Sequence, residues 1–105
     1  MLLKSIGLAT AGLLIAAMPA TAGATAQAAR TRINVGDDYF RPAVKTVSRG
    51  TRVIWLNVGG DPHTVTTRRW SKNLNPGDRY VRTVKRGFRY RCIYHDGMNG
   101  RIIVG

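Results

Sequence analysis

The chain has 105 residues, 44% of them hydrophobic, which is enough for one domain and no more. Seventeen Lys and Arg stand against five Asp and no Glu, a formal charge of +12, and thirteen of the seventeen are Arg. They come one or two at a time, with no block of five like charges and no nucleic-acid motif, so no nucleic-acid partner is expected. A solvated basic surface, or one that steers an acidic protein partner, fits better. A single cysteine excludes a disulfide within the chain, and a domain this small then needs a metal or a very regular core for support.

Met1-Leu2-Leu3-Lys4 is a short basic start, followed by an apolar run from Ile6 to Met18 that Pro19 ends. Small-residue A-x-A sites follow at Ala20-Thr21-Ala22 and Ala26-Gln27-Ala28. This is the layout of a secretory signal peptide over residues 1–28, with cleavage after Ala22 or Ala28 and a mature domain over residues 29–105. The expected location is the periplasm or the extracellular space. The apolar run is short for a membrane span, so none is expected in the mature form. No twin-Arg precedes it, which favours export unfolded and metal loading outside the cytoplasm.

Beyond the leader, short alternating runs are broken by turn signals, and no helical period is sustained. Thr31 to Val35 predicts a first strand, closed by Gly36-Asp37-Asp38; Pro42 then breaks the pattern. Ala43 to Val47 and Thr51 to Asn57 predict the next two. In the second, Val53 and Trp55 share one face and Ile54 and Leu56 the other, which predicts cover on both sides. His63 opens a run through Thr67, and Arg68 to Asp78 reads as the longest irregular stretch. Arg79 to Val84, Phe88 to Tyr94 and Arg101 to Val104 complete the set, with Cys92 facing inward among the aromatics. Seven or eight short strands predict an all-β sandwich.

The chemistry is concentrated in Cys92-Ile93-Tyr94-His95-Asp96-Gly97-Met98, a Cys-x2-His-x2-Met order. A thiolate, an imidazole and a thioether arrive within seven positions on one loop. His63, the remaining histidine, would complete a His2Cys set with a weak axial Met, the arrangement that selects electron-transfer copper. Taken singly, each residue has an ordinary reading: a buried structural cysteine, a loop histidine, a core methionine. Zinc also accepts Cys and His, but structural zinc favours several thiolates and gains little from a thioether. No open coordination position, general base or nucleophile is evident, so an enzyme is not expected.

Several further motifs stand in order along the chain: Phe40-x-Pro42, Thr46-Val47-x-x-Gly50-Thr51, Val53-x-Trp55-x-Asn57 and Pro62-His63-Thr64-Val65. Pro76-Gly77, Gly87-Phe88-x-Tyr90-x-Cys92 and Met98-x-Gly100-x-Ile102-x-Val104 follow. Together they resemble the cupredoxins, the small blue copper proteins, over essentially Arg30 to Gly105, and the two residues between His95 and Met98 resemble the amicyanin loop. The resemblance implies a Greek-key sandwich and one type 1 copper held by His63, Cys92, His95 and Met98. It also implies a rigid site that keeps reorganisation small when one electron moves. Gly60, Tyr94, Gly97 and Met98 would surround the exposed edge of His95, where electrons enter or leave. Thr64 stands where many cupredoxins have Asn, and Tyr94 and Asp96 flank His95 where amicyanins tend to have Pro.

The expected function is therefore a monomeric, soluble carrier of one electron that meets an acidic redox protein. The alternative is a copper-binding or copper-delivery protein without a redox partner. A third reading is a cationic extracellular binding module with a vestigial site, which requires folding without metal and polyanion binding at physiological salt.

Overall fold

The computed structural model describes residues 29–105, and the expected signal peptide lies outside the described residues. Nine strands follow in order: β1 (Arg30–Val35), β2 (Phe40–Arg41), β3 (Val44–Val47), β4 (Thr51–Asn57), β5 (His63–Thr66), β6 (Ser71–Leu74), β7 (Arg79–Val84), β8 (Phe88–Arg91) and β9 (Asn99–Val104). They make two sheets, ordered β3-β9-β8-β5-β6 and β2-β1-β4-β7, which form a sandwich. β1 runs parallel to β4, with Ile33 opposite Trp55 and Val35 opposite Asn57; β9 runs parallel to β3. The other pairings are antiparallel.

β4 fixes the core. Its inward positions Thr51, Val53, Trp55 and Asn57 are all buried, as a two-residue period requires of a strand with one face on the interior. Trp55 meets Tyr90 edge-on at 5.5 Å and stacks with Tyr80 at 5.9 Å, and Phe40 meets Tyr90 at 4.7 Å. Ile33, Val35, Val65, Val84 and Ile102 fill the remaining space between the sheets. Each such side chain contributes about 1.5–3 kcal/mol on burial, so the core carries the sandwich without a disulfide. Burial pushes the Tyr90 hydroxyl up to about 12, a rise that the facing Trp55 N–H partly offsets. The two groups make no hydrogen bond of full geometry.

The structure departs from the sequence reading at four places. Ile54 and Leu56 are only half-buried: among the described residues no third layer covers the outer face of β4. Ser71–Leu74, read as irregular, is an edge strand paired with β5. Phe40–Arg41, read as a break before Pro42, forms a two-residue pairing with β1. β8 ends at Arg91, and Cys92 begins the loop rather than continuing the strand. Nine strands replace the seven or eight expected, the additional ones being the short β2 and β6.

Candidate metal centre

His63 is the first residue of β5 and is 0% exposed. The loop that delivers it is bolted by the buried Asn57 side chain. Asn57 Nδ2 donates to the carbonyls of Asp61 at 2.8 Å and Leu74 at 2.9 Å, and Oδ1 accepts from the Gly59 N–H at 2.8 Å. One amide thus supplies partners that a loop backbone cannot supply for itself. The ring's Nδ1 lies 3.8 Å from Cys92 Sγ, while Nε2 lies 3.1 Å from Asp37 Oδ1.

Asp37 sits in the loop after β1, brought close because Val35 and Asn57 are neighbours in the sheet. Its Oδ1 also accepts from the N–H groups of Gly60 at 2.9 Å and Asp61 at 3.1 Å. The bond to His63, then that to Asp61, hold its carboxyl below the usual carboxylate range. A Cβ on Gly59 would run into the Asp37 carboxylate, so this approach requires glycine. With Nε2 donating its proton to Asp37, Nδ1 keeps the lone pair.

Cys92 is buried, and its N–H donates to the Met98 carbonyl at 3.0 Å while the Met98 N–H reaches the His95 carbonyl at 3.4 Å. Gly97, with φ of 79°, makes the turn that an L side chain would resist. Thr64 ties this loop to β5. Its N–H donates to Cys92 Sγ at 3.4 Å, and its hydroxyl accepts from the Ile93 N–H at 2.9 Å. Thr therefore makes the link between the two ligand-bearing segments from this position. Tyr94 is exposed, and its hydroxyl donates to Asn73 Oδ1 at 3.1 Å.

His95 Nδ1 lies 3.7 Å from Cys92 Sγ, and the two imidazoles have centroids 5.1 Å apart. Donor atoms of His63, Cys92 and His95 all lie within 4.8 Å of one another. Met98 is buried beside them in sequence and spans the loop with its backbone. His95 is half-buried, and Gly60, Tyr94 and Gly97 are exposed.

The residues fit a metal. Bonds of about 2.3 Å to sulfur and about 2.0 Å to nitrogen at a trigonal angle put S and N roughly 3.7 Å apart, against 3.7 and 3.8 Å here. A thiol has one proton and can satisfy one imidazole at a time; a metal ion satisfies all three donors at once. Asp37 escapes a sequence reading. Thr64 enters it through an N–H that can approach the Cys92 sulfur, as found, but not through its hydroxyl bond to the Ile93 N–H, and Asn57 enters it only as part of a motif. Asp37 and Thr64 act through hydrogen bonds between segments distant in the chain, and Asn57 braces its own loop and joins it to Leu74.

No family model matches the chain, and no curated protein matches it in sequence. Solved structures do. A purple cupredoxin from Nitrosopumilus maritimus shares 21% identity over 71% of this chain and 99% of its own, with a TM-score of 0.61. The amicyanin from Paracoccus versutus shares 19% over 78% of this chain and 87% of its own, with a TM-score of 0.61. A copper-containing nitrite reductase from Thermus scotoductus shares 21% over 72% of this chain but only 22% of its own, with a TM-score of 0.59. The sandwich has the cupredoxin fold.

Proposed function

We propose that this cupredoxin fold serves as a one-electron carrier, with one type 1 copper held by His63 Nδ1, Cys92 Sγ and His95 Nδ1 and with Met98 as a weak axial ligand. The observation that supports it is the convergence of one thiol and two imidazole nitrogens at metal-bridging distances. When bound, copper supplies a couple between its +1 and +2 states, and a soft thiolate with imidazoles suits it.

The chain's own residues do the rest. Asp37 sets the His63 tautomer, Asn57 fixes the loop before it, and the Thr64 N–H stabilises charge on Cys92 sulfur. Half-buried His95 gives the donor set a route toward solvent, flanked by exposed Tyr94 and Ile93. Both imidazoles and the thiol are engaged with one another, which leaves no separate base or nucleophile in the cluster and favours a carrier over an enzyme. Amicyanins, among the fold's neighbours, exist in oxidised and reduced forms. Export to the periplasm or beyond, resting on the leader-like residues 1–28, belongs to the same reading.

The test is to add copper(II) to the chain and record its visible spectrum. An intense blue thiolate-to-copper band, bleached by ascorbate and restored by an oxidant, is expected. A pale product with a freely reactive thiol would sink the carrier reading. A blue product that surrendered copper to a chelator within minutes would favour delivery instead.

A further inference from the structure

The loops at the two ends of the sandwich carry opposite charge, although Arg41, Arg79 and Arg91 stand on the strand residues beside the ligand-end loops. Four loops lie at the ligand end: 36–39, 58–62, 75–78 and 92–98. They hold all five Asp side chains of the sequence, Asp37, Asp38, Asp61, Asp78 and Asp96, and no Lys or Arg. The loops at the other end, 48–50, 67–70 and 85–87, hold Arg49, Arg68, Arg69, Lys85 and Arg86, and no carboxylate. The denser positive charge of the far-end loops therefore directs an acidic partner toward that end rather than to the His95 edge.

That end has a place to receive it. A groove of about 720 Å³ opens between the two sheets, with Arg68, Arg69, Arg82, Lys85, Arg86 and Arg89 on its walls and no acidic residue in its lining. Trp70, Val84 and Phe88 give it an apolar floor, with the Trp70 and Phe88 rings edge-to-face at 5.6 Å. Arg82 is held in place: its guanidinium lies 4.2 Å from the Trp70 ring centre and donates to the Tyr80 hydroxyl at 2.7 Å. Arg49 ties two far-end turns together by donating to the Lys85 carbonyl at 3.2 Å.

We infer that this groove is a docking site for an extended, carboxylate-rich segment of a partner protein. Guanidinium groups take carboxylates in pairs of parallel hydrogen bonds, and an apolar floor between them accepts the side chains that separate the carboxylates. A flat anionic bilayer would reach only the rims of a concave site. Nucleic acid would find the Trp70 face already covered by Arg82, so the ring offers no stacking platform. Docking here leaves the ligand loops at the opposite end free, so the partner acts as a tether and electrons pass elsewhere.

The experiment is fluorescence anisotropy with a fluorescein-labelled poly-Glu peptide carrying a central Phe, near physiological salt, on copper-free and copper-treated chain alike. Two triple variants change net charge equally: R68E/R69E/R86E within the groove, and R32E/R79E/R101E outside it. The groove variant is expected to weaken binding by about thirtyfold or more, the other by less than about threefold. In the unaltered chain, amide NMR shifts on peptide addition are expected within residues 67–70 and 82–89 and not within 92–98. Equal losses in the two variants, or shifts spread over the surface, would overturn the site. Tighter binding to phosphatidylserine vesicles or to single-stranded DNA than to the peptide would overturn the choice of partner. Since binding is read with and without copper, failure here is distinct from failure of the carrier reading.

Discussion

His63 and the Cys92–Met98 segment reach the same small space by different means. His63 is part of a strand, wholly buried, with its ring held by Asp37 and the loop before it held by three bonds from Asn57. Cys92, His95 and Met98 come from one short loop that closes on its own backbone and exposes Ile93 and Tyr94. The first donor is thus fixed by the sandwich, so errors there spread into the fold. The others are fixed by a loop whose exposed positions can vary at little cost to the sheets.

Substitutions can break or sharpen that contrast. Cys92→Ala should abolish the blue band completely while the metal-free chain still folds, as circular dichroism would show; retained colour would exclude sulfur ligation. Asn57→Ala leaves two carbonyls and one N–H without their partner and should cost about 3 kcal/mol in urea unfolding, an effect on the whole sandwich from one loop bolt. Tyr90 probes the frame beneath both segments. Its folded-state value of about 12 lies above the ordinary 10.0, so its contribution is complete below pH 10 and is lost as pH rises toward 12. That loss should be about 2 kcal/mol, and Tyr90→Phe should flatten the alkaline limb of the stability profile.

Smaller effects separate positioning from packing. Asp37→Asn can still accept from His63 but removes a negative charge beside the site. The reduction potential should rise, modestly because Asp37 is exposed and screened, with the blue band retained. An unchanged potential would make Asp37 merely structural. Tyr94→Phe deletes an exposed bond to Asn73 and should cost no more than about 0.5 kcal/mol, leaving the spectrum alone.

The strands with strict alternation, β1, β4 and β7, were legible in the sequence because alternation is what a half-buried strand imposes. The clustering of His63, Cys92 and His95 was legible because few residue types carry metal chemistry and all of them are scarce here. β6 was not: Ser71, Lys72 and Asn73 are exposed, so the strand is made by backbone pairing to β5 and leaves no apolar pattern. Asp37 was hidden for a different reason. It lies 26 residues before His63 in an unremarkable Gly-Asp-Asp turn, and only the parallel pairing of β1 with β4 brings it to the ring. The separation of charge between the two ends is likewise a property of topology, since the acidic and basic loops alternate along the chain.

β9 follows the other eight described strands in sequence, yet it lies inside its sheet, between β3 and β8. Any chain emerging from its ribosome, or passing through a pore, N-terminus first must therefore wait with two strand edges unpaired. The segment bearing Cys92, His95 and Met98 directly precedes β9 and closes only when β9 docks. His63 and its supports can be in place earlier, while the loop that carries the other donors stays open until β9 is available. The order of emergence itself thus delays the gathering of the three donors until the strand that closes their loop has arrived.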